Sequence, residues 1–422
     1  MIAENSSASE LGIAAAPHAG HDVSVSLSRR AILVGAGPVG LVTALALARE
    51  SIHVTLVGET SESSSGRTVA LFDDSIRFLE ELGVWQGISN QAAPLRRLRI
   101  IDDTNNLFRW RPLMFDAAEI GLDAFGWNIA SGALNAALRR IAESTPAIHV
   151  IDGSAAAPYF EEDRAGCSIA GERLEAALIV AADGQRSKLR ESAGISARLE
   201  RLPQWALTGI FEHQLPHEDI STEFHTREGP CTLVPLASPD RSRGRPQVSS
   251  LVWMVRSARA RALRRLDDEA FSLAVERCTH SILGKMRLRG PRGAVPLSIA
   301  HVASISATRL ALVGEAAHAF PPIGAQGLNL GLRDAATLAA LTGEALRKGE
   351  DIGATDVLDA YEDARASDVA TRSAAVNLMN RSLLSHFPPS DVARGLGMAA
   401  LDLIGPLRRF VMREGVAPGF GR

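Results

Sequence analysis

The alternation of apolar and polar positions divides this chain before any chemistry is considered. Ala31-Ile32-Leu33-Val34 is an unbroken apolar run between Arg30 and Gly35, the pattern of a strand buried on both faces. A helix-prone Leu/Ala stretch follows and closes near Arg49 and Glu50, and IHVTLVG, from Ile52 to Gly58, reads as the next parallel strand. Ala31 to Ala48 is uncharged and long enough to suggest a membrane span, but its glycine spacing argues otherwise. Ile76, Leu79, Leu82 and Trp85 recur at helical spacing and predict a helix with one buried face. Further on, Ala176 to Ala182 predicts a buried strand ending in Asp183-Gly184, and Leu310 to Val313 predicts another ending in Gly314-Glu315.

Between about Arg201 and Pro296 the texture changes. LTGIFEHQL, CTLVPLA and VSSLVWMVRS predict short strands of a second, antiparallel sheet, followed by a helix in DDEAFSLAVERCTHSILG. After Asp351 the pattern is helical, with a break at FPPS, Phe387 to Ser390. Beyond it Leu396, Ala400, Leu403, Leu407 and Phe410 follow helical spacing around Gly405-Pro406, which predicts a terminal helix docked by that face. Arg408, Arg409 and Arg413 near its end offer the alternative of a surface element touching anionic lipid or a partner protein.

Composition narrows the function classes. The 422 residues, 46% of them hydrophobic, suffice for about two or three domain-sized units. A formal charge of -3 gives no reason to expect a nucleic-acid partner. Cys167, Cys231 and Cys278 are far apart and form no CxxC, which disfavours a disulfide framework and a zinc or other metal site and suggests a reducing cytosol. Residues 1-28 lack a basic region followed by an apolar core and read as a flexible tail.

The chemistry begins at Gly35-x-Gly37-x-x-Gly40, where Pro38 and Val39 open the helix. The first glycine permits a tight turn, the second lets backbone N–H groups approach a pyrophosphate, and the third allows close helix-to-strand packing. The helix N-terminus then faces the phosphates. A carboxylate for the ribose is expected directly after Val57, yet Gly58 stands there and Glu59 follows; a solvated loop glutamate is the competing reading. Arg67, in the next Gly/Ser loop, is a candidate clamp on pyrophosphate or ribose. Asp183 at a strand's carboxyl end is where an α/β sheet meets its ligand, although Asp-Gly is also an ordinary turn.

These features in order resemble a known family. The GxGxxG, the mid-chain Asp-Gly strand end and VGEAAHAFPPIGAQGLNLGLRDA together resemble the FAD-dependent aromatic hydroxylases of the para-hydroxybenzoate hydroxylase fold. With GRTVALFDDSIRFLEELGVW and MAALDLIGPLRRFVMREG, the chain is most similar to the ubiquinone-biosynthesis hydroxylase branch, from Arg30 to about Gly415. The resemblance implies an α/β fold in which a Rossmann-type FAD-binding domain (29-90, 119-198 and 301-345) is interleaved with a mostly antiparallel β-sheet substrate domain (91-118 and 199-300), with C-terminal helices (346-422).

FAD is long, so the first loop would hold its ADP half and residues 313 to 335 would cradle the ring. By resemblance, Gly314 and Glu315 face the flavin-side ribose or ribityl chain, Glu315 standing where the family usually has aspartate. Pro321 and Pro322 stiffen the passing peptide, and Gly324, Ala325 and Gly327 admit backbone to the ring, Ala325 replacing a frequent glycine. The helix starting near Gln326, Gly327 and Leu328 aims N–H groups at the reduced flavin's negative end, and Asn329 orders that turn. His318 reads as a structural residue beneath the loop, and no catalytic base is assigned.

The implied reaction is hydroxylation of a polyprenylated phenol through a C4a-hydroperoxyflavin, with O2 and NADH, NADPH or another donor as reductant. No second GxGxxG marks a nicotinamide domain. Such an enzyme would be cytoplasmic, with contact to a quinone-biosynthesis complex or to the inner face of the membrane as the finer expectation. A soluble hydroxylase of a small aromatic compound and a non-catalytic subunit of a quinone-synthesis complex share the same flavin motifs.

Overall fold

The computed structural model describes residues 26–59, 66–104, 110–238, 247–384 and 388–416. The tail expectation falls almost wholly outside the described residues, as do Phe387 and the two residues before it. The apolar run Arg30–Val34 lies at the heart of a six-stranded sheet, between Leu178–Ala181 on one side and His53–Val57 on the other. Both pairings are parallel, and the sheet continues through Leu310–Leu312 and Ile148–Ile151. Parallel strands covered on both faces need apolar residues throughout, and Leu33, Leu56 and Ile179 are fully buried. Each such side chain taken from water contributes about 1.5–3 kcal/mol.

The segment that resembles a membrane span is therefore a strand followed by the 12-residue helix Pro38–Arg49. Among the described residues no helix is long and apolar enough to cross a membrane. Two local expectations change. The run from Ala176 to Ala182 is split, because Glu172–Ala176 pairs antiparallel in a separate three-stranded sheet before the chain enters the parallel one at Leu178. The helix of the Ile76 face stops at Glu81, and Trp85 continues the same buried side from a short 3-10 turn.

The second sheet has seven strands and is mostly antiparallel. Its strands are not all short: Ala197–His213 and Met286–Val302 each run for 17 residues and pair with each other. Charged and proline residues interrupt the apolar pattern of both, so the alternation shows only their middles. Arg97–Asp102 joins this sheet parallel to Ile220–Thr226, with Leu113–Asp116 beyond it at the edge.

Three helices close the chain: Thr355–Leu384, Pro388–Leu403 and Gly405–Val416. The last two dock, but by a different face from the expected one. Met398 and Met412 pack with Leu113, Phe115 and Phe125, while Arg408 pairs with Glu119 at 2.6 Å. Leu396, Leu403 and Phe410 remain 66%, 69% and 62% exposed. Periodicity reveals that an apolar stripe exists but not which of two stripes meets the core, and the restart at Gly405 shifts the phase between them.

Candidate functional site

Gly35, Gly37 and Gly40 have different neighbours. Gly35 has φ 121° and its N–H donates to the Val57 carbonyl at 2.7 Å. A Cβ on Gly35 would overlap the Ala182 carbonyl, and one on Gly40 would overlap the Gly35 carbonyl. Both are packing glycines. Gly37, at the helix N-cap, has nothing within 4 Å of where its Cβ would lie. Space is thus kept open at the one glycine of the three that the motif expects to let a phosphate approach the helix N-terminus.

The neighbouring strand ends complete this rim. A Cβ on Gly58 would lie 2.5 Å from the Ala36 nitrogen, which accounts for the displacement of the carboxylate to Glu59, exposed at the end of its strand. Arg67 is exposed just before Thr68–Phe72, and its carbonyl accepts from the Ser131 N–H at 3.0 Å. Asp183 Oδ2 accepts from the Lys188 and Leu189 N–H groups at 2.9 and 3.4 Å, so one oxygen holds the start of Lys188–Ser192. Its Oδ1 is buried with no hydrogen-bond partner, a costly state that a ligand hydroxyl at this strand end would relieve. Gly184 follows at φ 83°.

The late loop meets the first at Val39, whose side chain lies 3.1 Å from the place of a Gly314 Cβ and 2.6 Å from that of Gly331. From Gly314 the chain passes Glu315, Phe320 and Pro322 and enters the helix Gln326–Lys348 through Gly324 and Ala325, both left-handed, at φ 64° and 54°. A left-handed alanine is strained by roughly 1–2 kcal/mol. Glu315, Pro322, Gly324, Ala325, Gln326, Gly327 and Leu328 all line one cavity of about 530 Å³. Gly327, like Gly37, has nothing within 4 Å of its Cβ direction. Asn329 does not face the cavity. It is fully buried, donating to the Ala325 and Ala70 carbonyls at 2.7 and 2.9 Å and accepting from the Phe72 N–H and the Ser75 hydroxyl.

Beneath the loop lies a charged network with no counterpart among the expected residues except His318. Asp334 is completely buried: Oδ2 is 2.6 Å from His318 Nε2 and accepts the Gly314 N–H at 2.9 Å, while Oδ1 accepts from Arg365 at 2.8 Å. Burial alone would raise this carboxyl, but the charge of His318 and its hydrogen bond, with Arg365, outweigh it and hold the pKa below the ordinary carboxylate range. Arg365 and Arg372 both bind Asp368, at 2.9 and 2.8 Å, and Arg372 reaches on to Gln326 Oε1 and the Glu414 carbonyl. Arg190 ties the Asp183 turn to the same loop through the Ala316 carbonyl at 2.8 Å. One sequence signal was available: Asp334 stands among Leu330, Gly331 and Leu338 on the face of a helix that otherwise faces the core.

The far wall of the cavity is built from the seven-stranded sheet, with Leu98, Ile100, Val234 and Val252, and Leu401 and Met412 of the terminal helices close it. Two open glycine cradles, an orphaned carboxylate oxygen between them and an apolar chamber beyond suit an extended dinucleotide cofactor whose reactive end meets an apolar substrate. That defines the class as a dinucleotide-cofactor oxidoreductase.

The chain belongs to the FAD-binding-domain family, whose model matches residues 29–375. Among its relatives, a ubiquinone hydroxylase of Rhodospirillum rubrum is 32% identical over 91% of this chain and 88% of that one. The 3-demethoxyubiquinol 3-hydroxylase of Escherichia coli is 28% identical over 90% of this chain and 96% of its own. The p-nitrophenol 4-monooxygenase of Pseudomonas putida shares the fold, with a TM-score of 0.72 at 18% identity over 91% of this chain and 96% of the other. This protein is an FAD-dependent monooxygenase of the branch that contains the ubiquinone hydroxylases.

Proposed function

We propose that this chain hydroxylates the aromatic ring of a polyprenylated phenol in ubiquinone biosynthesis, taking O2 and electrons from NADH, NADPH or another donor. The reading is carried by the cavity, whose one wall is the late glycine loop and whose other walls are mostly apolar. Bound FAD, once reduced, would activate O2 for transfer of one oxygen atom to an electron-rich ring carbon. Gly37 and the Pro38–Arg49 helix N-terminus would receive the pyrophosphate, and Glu59, Arg67 and Asp183 would supply the polar rim. The N-terminal N–H groups of Gln326–Lys348 would stabilise negative charge on the flavin, with Gly327 giving them access. Leu98, Ile100, Val252 and Leu401 would exclude water and receive the substrate.

The exposed stripe of Leu396, Leu403, Leu407 and Phe410, flanked by the exposed Arg409 and Arg413, would rest against an anionic membrane surface, the source of a prenylated substrate. Anionic vesicles should retain the protein, and Phe410→Glu should weaken that retention; equal retention would remove the membrane contact from the proposal. The activity itself is tested with purified protein. FAD should bind, NADH or NADPH should bleach it anaerobically, and a prenylated phenol with labelled O2 should yield a product carrying one labelled atom. Preference for small phenols would support the small-aromatic alternative, and a folded protein that takes up no FAD would end both readings.

A further inference from the structure

One strand of the cavity wall carries polar side chains where packing alone asks for apolar ones. Ser221, Glu223 and His225 alternate along Ile220–Thr226, and strand periodicity puts them on one face. Ser221 and Glu223 line the cavity. Glu223 and His225 are only 8% and 7% exposed. Across that face their neighbours Ile100, Val234 and Val252 are apolar.

A buried carboxylate is costly unless its oxygens are bonded. Glu223 Oε1 lies 2.7 Å from His225 Nε2, and Oε2 accepts from the Thr232 hydroxyl at 3.3 Å. Each carboxylate oxygen accepts at two sites, so Glu223 retains capacity toward the cavity. The other charged groups around the pair are Arg97 and Asp102 on the adjacent strand and Glu315 on the late loop. Arg97 donates to the Glu218 carbonyl at 3.1 Å, and Asp102 accepts from the Thr104 N–H and hydroxyl at 3.1 and 2.6 Å. Among these groups Glu223 is the one backed by a histidine.

We propose that Glu223 is a catalytic residue that accepts the proton of the substrate phenol, with His225 as the positioning residue that holds it. The inference rests on the hydroxylase reading above. The phenolic O–H bond breaks, its electron pair stays on oxygen, and the proton passes to the Glu223 carboxylate, whose Oε1 accepts the Nε2–H of neutral His225. The proton returns from Glu223 to the product's phenolate on release. Ionising the phenol raises electron density at the ring carbon that receives oxygen, and a positioned base contributes about 100-fold or more to such a step.

The FAD-loaded protein is compared with Glu223→Gln and His225→Gln on two substrates, a prenylated phenol and a fluorinated analogue already ionised at the assay pH. Both variants should keep FAD. Glu223→Gln should lose about 100-fold with the ordinary phenol and much less with the ionised one, and His225→Gln should lose less in the same pattern. A nitrophenol probe should show a lowered pKa when bound to the wild type and a value near its free one when bound to Glu223→Gln. If Glu223→Gln does not fold, the substrate pattern of His225→Gln decides. Equal losses on both phenols, or no loss, would overturn the dyad while leaving the hydroxylase reading intact. A wild type that hydroxylates neither phenol would overturn both.

Discussion

The two glycine loops follow one plan, strand to glycine turn to helix, yet they are held in opposite ways. In the first, Gly35 and Gly40 pack directly on backbone and leave only Gly37 open. The turn is enforced by the residues that compose it. In the late loop no backbone lies within 4 Å of a Cβ placed at Gly324 or Gly327, and an alanine stands in left-handed backbone. Its shape is braced by Asp334 of the helix it enters and, from outside, by Arg365, Asp368 and Arg372 of the next helix. On the proposed reading, a grip on phosphate is local, whereas the cradle for the reacting ring is braced by charges from a separate helix.

The contrast can be broken from the first loop most severely. Gly40→Val forces a side chain into the Gly35 carbonyl and should cost about 4 kcal/mol or more, read as loss of the folded protein in thermal denaturation. In the late loop the comparable blow is indirect. Asp334→Asn leaves Arg365 and His318 facing a neutral amide and should cost about 3–5 kcal/mol in the same assay. The Asp334 carboxyl is held below its usual range, so its contribution is present above the ordinary carboxylate pKa and lost as pH falls through the lower folded value. Wild-type stability should therefore fall faster on acidification than that of Asp334→Asn.

Gly37→Val sharpens the comparison. A Cβ at this position meets no protein atom within 4 Å, so the unliganded melting temperature should hold while FAD affinity drops by roughly 100-fold or more, about 3 kcal/mol. A melting temperature that falls with affinity would make Gly37 another packing glycine. The smallest effect belongs to Ala325→Gly. Relief of left-handed strain exceeds the added chain entropy slightly, and stability should rise by about 1 kcal/mol or less. A loss would mean that the alanine methyl makes contacts worth more than the strain.

The same difference explains what the sequence discloses. The first loop is legible because its chemistry is contiguous: apolar strand, spaced glycines, helix, strand. The late loop shows its glycines and prolines, but Arg365 and Arg372 look like surface residues of an ordinary helix until the fold brings them beneath it. Asn329 was expected to order its turn and does so by binding the Ala325 carbonyl, but it also reaches Phe72 and Ser75, more than 250 positions away in the chain. Nothing in the sequence marks Glu223 and His225, since two polar residues alternating in ISTEFHT resemble the wet face of an edge strand. The terminal helices show the limit of periodicity most plainly, with the nominated stripe facing outward and Met398 and Met412 facing in.

The division of labour between the loops is tested most directly by oxygen accounting in Gly327→Val. Gly327 lines the cavity and a Cβ there meets no protein atom within 4 Å, so the variant should fold and, through the first loop, retain FAD. Loss of one well-placed backbone donor should cost about 2–4 kcal/mol of charge stabilisation. Hydroxylated product per O2 consumed should then fall sharply against the wild type, with hydrogen peroxide making up the difference. A variant that keeps normal flavin reduction and full product per O2 would contradict the account, because residues 313 to 335 would then play no part in holding the reacting ring.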